Sequence, residues 1–127
     1  MKKISLILAA VLCMSVQNVN AKKQYEGIWA QTTAECLDKE SPNTRTLIDL
    51  SNKVKGKSLP IFDGYESHCK IIKSSGNDKN VKLKLKCFEF WENLEKNIDG
   101  SNANVTLTLE SEQSLKIDGV KYERCND

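Results

Sequence analysis

One histidine stands in 127 residues, no apolar run is long enough to span a membrane, and no stretch carries a nameable catalytic motif. A lone His68 cannot supply a Ser-His-Asp or Cys-His set together with partners the sequence identifies. The cysteines are too widely spaced for the paired ligands of a zinc site. Helical periodicity is scarce, and no internal repeat stands out. These absences argue against an enzyme, a cofactor, a metal protein and a helical protein.

The start of the chain explains the apolar residues that do cluster. Met1-Lys2-Lys3 leads into Ile4–Leu12, and Val19-Asn20-Ala21 offers small residues where a signal peptidase reads. The expectation is a cleaved signal peptide over 1–21 and a single domain over 22–127, which is 127 − 21 = 106 residues. The lysine-led form looks bacterial, so the periplasm or the exterior is the expected location. Bulky Leu12 stands before Cys13 where lipidation needs a small residue, so Cys13 is expected to leave with the signal. Loss of Lys2 and Lys3 takes the basic count from 19 to 17, against 17 acidic residues. A neutral domain gives no reason to expect nucleic acid or an anionic membrane as partner, and oligomeric state cannot be read.

What is present is a hairpin with a cysteine in each arm. Turn formers fill 74–80, and Val81-Lys-Leu83-Lys-Leu85-Lys-Cys87 alternates strictly between apolar residues and lysine. Period 2 puts apolar residues on one sheet face and lysines on the other. With Asp78 at the centre, Cys69 lies opposite Cys87, close enough to bridge. Cys36–Cys125 follows by elimination, and an oxidising compartment favours both bonds. Leu83 and Leu85 should be buried, and Lys82, Lys84 and Lys86 exposed.

Further strands are expected over 25–31, 46–50, 59–65, 105–109, 115–117 and 120–125. Asp63-Gly64 and Asp118-Gly119 read as tight turns. Segments 32–45 and 51–58 read as polar connections, and 88–94 as either more strand or a helical turn. The fold class is therefore all-β: a small antiparallel meander closed by two disulfides. A partly open barrel fits the short turns best, with a β-sandwich as the alternative.

Gly27-x-Trp29, Cys36, Tyr65-Glu66-x-x-Cys69, Cys87 and Arg124-Cys125 stand in an order that resembles small secreted alphaproteobacterial proteins, usually uncharacterised. The resemblance implies a two-disulfide β domain outside the cytoplasm and brings no established activity.

Candidate contact residues follow from the hairpin register and from that pattern. Continued past Cys87, the register carries Phe88 and Phe90 onto the lysine face, with Trp91 at its end. Such aromatics are either covered by a neighbouring segment or form a protein-contact patch. Glu66 and Arg124 are the charged candidates, as an ion pair or as ligand contacts, although strict register opposes their meeting. Glu66 is also the candidate partner of His68. Trp29 reads as a core plug, and Thr106 and Thr108 as the outward face of a strand. The expectation is a non-enzymatic binding or inhibitor-like module with an envelope protein partner. A small barrel carrying an apolar or sugar ligand is the alternative.

Overall fold

Eight strands close into an antiparallel barrel in a computed structural model that describes residues 22–38, 45–64 and 67–126. In chain order the elements are β1 (Gly27–Ala30), α1 (Thr33–Leu37), β2 (Thr46–Asp49), β3 (Lys53–Val54), β4 (Lys57–Ser58), β5 (Ile61–Gly64) and β6 (Ser67–Gly76). Then come β7 (Asn80–Phe88), α2 (Trp91–Lys96), β8 (Ser101–Ser111), β9 (Ser114–Ile117) and β10 (Val120–Arg124). The ring runs β1-β10-β9-β8-β7-β6-β5-β2, and β3 and β4 form a separate two-stranded hairpin. The barrel is closed because β1 pairs with β2 on one side and with β10 on the other. Meander connections bring each strand beside the next, and the ring then hides most of its edges.

The hairpin register is the one the alternation implies. Cys69 pairs with Cys87 and Ile71 with Leu85. Between Ile71 and Lys73 the register shifts, so Ile72 is a bulged residue and is 56% exposed. Leu83 and Leu85 are buried inside, Lys82 and Lys84 point out exposed, and Lys86 is half-buried. Both disulfides form as paired from sequence: Cys69–Cys87 across the ladder, and Cys36–Cys125 over a separation of 89 residues.

Inside the ring, Trp29, Ile48, Leu83, Leu85, Leu107 and Leu115 are almost wholly buried and form one core. Tyr25 plugs one end. A second, smaller core lies on the outer wall, where Ile61, Phe88 and Leu94 are buried at 3%, 2% and 1% exposure. Helix α2 makes that core by lying across β6 and β7. Thus the stretch after Cys87 does both things open to it: strand to Phe88, then a helical turn.

The structure departs from the sequence pattern in three places. Asp63 and Gly64 are not turn residues but ladder partners of His68 and Ser67. The connection over 51–58 holds the β3–β4 hairpin, and the one over 32–45 begins with α1, capped where Glu35 N donates to Thr32 Oγ1 at 3.1 Å. Short polar segments reveal little by periodicity, so these elements left no trace in the pattern. Asp118-Gly119 is the tight turn expected, with φ of 50° and 83°.

Candidate functional site

Two clusters gather the candidate residues, one where β1 meets β10 and one on the outer wall. At the first, Trp29 and Arg124 are cross-strand partners of β1 and β10. The Arg124 guanidinium lies 4.3 Å from the centre of the Trp29 ring system, a cation–π contact. Its Nη1 donates to Glu26 O at 2.8 Å, Nη2 to Gln24 O at 2.5 Å and Nε to Glu112 O at 2.7 Å. Trp29 Nε1 donates to Tyr25 O at 3.0 Å. A Cβ on Gly27, where φ is 139°, would come 2.6 Å from Arg124 Nη1, so only glycine lets the guanidinium settle there.

This arrangement is a latch. Arg124 spends its donors on backbone carbonyls and its flat face on an indole. Cys125, the next residue, then ties the end of the chain to α1 through Cys36. Gly27, Trp29, Cys36, Arg124 and Cys125, five residues of the sequence pattern, therefore meet in one structural knot. Glu26 completes it: 8% exposed, its carboxylate accepts from Lys23 N at 2.7 Å and Leu50 N at 2.8 Å. Nothing in the sequence singled out Glu26, because a buried carboxylate satisfied by backbone N–H groups has no periodic signature. Burial pushes the Tyr25 phenol above its ordinary range and the neighbouring Glu26 charge adds to this, while a hydrogen bond with the Ser74 side chain opposes it.

The second cluster sits at the opposite end, around the end of β7 and the start of α2. His68 faces Phe88 across the β6–β7 ladder and Asp63 across the β5–β6 ladder. Its Nδ1 is hydrogen-bonded to the Asp63 carboxylate. Trp91 meets the imidazole edge-on, ring centres 5.6 Å apart at 90°. The sequence gives no hint of Asp63 as a partner, because an Asp-Gly pair is a turn signal; Glu66, the partner expected there, lies outside the described residues.

Phe88 is on the lysine face, as the register requires, and it is covered. Lys70 and Lys86 ammonium groups lie 5.6 and 5.9 Å from its ring centre. Gly100 closes the cover, since a Cβ there would meet the ring at 2.5 Å. Phe90 is different. It is 60% exposed at the N-terminal boundary of α2, beside half-buried Trp91. An open groove of about 430 Å³ runs between α2 and the β3–β4 hairpin, with Leu59 and Leu94 among its apolar walls and Lys70, Glu92 and Lys96 among its charges.

The chain matches no protein-family description, and no curated protein or solved structure matches it. The site must therefore speak through its own chemistry. Among the described residues no three His, Cys, Asp or Glu side chains are grouped to hold a metal ion. Nor is any helix among them long and apolar enough to cross a membrane. The Asp63–His68 pair ties β5 to β6 and presents a face for the indole. Two disulfides fit an oxidising, non-cytoplasmic compartment. Thr106 is exposed and Thr108 half-buried on the outward side of β8, as expected.

Proposed function

We propose that this protein is a non-enzymatic binding module of the bacterial periplasm or exterior, acting on a protein partner in the envelope. One observation carries the reading: Phe90 is 60% exposed, whereas Phe88 and Leu94 in the same segment are at 2% and 1%. A large aromatic held in water by a rigid support is what interface anchors look like before they bind. Trp91 and the rim of lysines and glutamates extend the patch. The carrier reading has less support, since large side chains fill the interior through Trp29, Leu83, Leu85, Leu107 and Leu115. Arg124 belongs to the supporting frame in this reading, and the kinship with secreted alphaproteobacterial proteins remains part of the proposal.

The test is capture from an envelope extract by the wild-type protein and by Phe90→Ala. One or more proteins held by the wild type and lost with the variant support the reading. Identical capture by both, or co-purification of a small apolar or sugar ligand instead, would count against it.

A further inference from the structure

The barrel is closed, yet among the described residues one stretch of its wall has a neighbour on one side only. Strand β8 pairs with β7 along Ser101 to Thr108, but with β9 only from Leu107 to Ser111. At Thr106 the loss of β9 is made good by Asp118. Asp118 N donates to Thr106 O at 2.8 Å, and Thr106 N donates to Asp118 Oδ1 at 2.8 Å. Both backbone groups of Thr106 therefore point to the β9 side. Alternate residues of an antiparallel strand direct both groups the same way, so those of Asn104 and Asn102 point there too. Among the described residues they have no partner on that side.

Open edges are normally blunted by charge or proline. Ser101-Asn102-Ala103-Asn104-Val105-Thr106 has neither, in a chain that is 28% charged. The side chains around it specify what would fit. Asn102 and Asn104 are exposed on the outer face, while Ala103 and Val105 are half-buried toward the barrel mouth. The next strand presents Lys82, Lys84 and Lys86 outward, opposite Thr106, Asn104 and Asn102. An open outer groove of about 480 Å³ across β6, β7 and β8 gathers Lys73, Lys82 and Lys84 beside Asn104 and Thr106. A strand added to β8 would lie about 10 Å from the lysine row, two strand spacings away and within about one Debye length.

The geometry points to β-strand addition: the first half of β8 takes an extended segment of a partner protein, acidic on its outward positions and apolar on its inward ones. Main-chain hydrogen bonds from Asn102 and Asn104 hold the segment, and the lysines select its charge. A second copy of this chain fits the same edge less well, because its own lysine row would be brought toward this one. This rests on the partner reading above and names its mode of contact.

The probe is a blocked heptapeptide alternating glutamate and valine, with a lysine-valine heptapeptide as control, added to the purified disulfide-bonded protein. Saturating glutamate peptide should slow amide hydrogen exchange at Asn102 and Asn104 by about tenfold or more, as new strand hydrogen bonds form. The lysine peptide should bind at least about fivefold more weakly, with the gap closing in high salt. Asn104→Pro removes an edge N–H that the barrel does not use and should abolish binding with little change in melting temperature. Should that variant fail to fold, Asn104→Asp carries the test by weakening the glutamate peptide and favouring the lysine one. Unchanged exchange at both asparagines, equal binding of the two peptides, or full binding by a folded Asn104→Pro overturns the inference. So does self-association that protects these amides without peptide. Phe90→Ala should lose extract capture yet keep peptide binding, so the contact reading and the edge fail separately.

Discussion

The latch and the outer-wall corner are both rich in aromatic and charged residues, and they use them in opposite ways. At the latch, Trp29 is wholly buried, three Arg124 nitrogens meet three carbonyls, and the Glu26 carboxylate has two backbone donors. At the corner, Phe90 stands in solvent, Asp63 and His68 remain partly exposed, and the nearby edge of β8 keeps backbone groups unpaired among the described residues. Satisfied polar groups under a filled core rigidify a fold, whereas unsatisfied groups on a rigid frame are available to something else. The first cluster is scaffold, and the second is the surface on which the proposed contact would form.

The contrast breaks most visibly at Trp29. Trp29→Ala opens the centre of the core and leaves the Arg124 guanidinium without its indole, so it should cost about 3–5 kcal/mol in denaturant unfolding. A loss below about 1 kcal/mol would mean the latch is not structural. Removing its covalent part, by Cys36→Ser with Cys125→Ser, should cost about 2–5 kcal/mol, because the bond closes a long loop in the unfolded chain. Peptide mapping under non-reducing conditions that joined Cys36 to Cys69 or Cys87 would refute the pairing itself.

Alkaline pH sharpens the comparison more gently. The Tyr25 phenol is raised above its ordinary value, first by burial and then by the Glu26 charge. A folded state that holds the proton more tightly than the unfolded chain is at full advantage below the unfolded value. That advantage is lost as pH rises past about 10. Melting temperature should therefore fall above about pH 10, and Tyr25→Phe should flatten the decline. A decline unchanged in that variant would place its cause elsewhere. The smallest effects belong to the outer surface: Phe90→Ala and Lys84→Ala should each stay within about 0.5 kcal/mol of wild type. If Phe90→Ala cost as much as Trp29→Ala, Phe90 would be core and the contact reading would lose its anchor.

Much of the frame is legible in the sequence. Period 2 over 81–87 places Leu83 and Leu85 inside. The same register sets Cys69 against Cys87 and, once that pair is taken, leaves Cys36 for Cys125. Asp118-Gly119 announced its turn because both residues tolerate positive φ. These features are local or nearly so, and local sterics and alternation determine them.

The rest depends on residues brought together from far along the chain. That β1 pairs with both β2 and β10, and so closes the ring, comes from its place between two distant strands. The Arg124 clamp joins residues 24, 26, 29, 112 and 124, and no spacing rule connects them. Register alone put Phe88 and Phe90 on one outer face; only the lie of α2 and Gly100 buries the first and leaves the second in water. The open edge of β8 follows from a difference in length, since β7 and β8 extend past the four-residue β9. Alternation determines which way a side chain faces, while what stands in front of that face is settled by packing between distant segments.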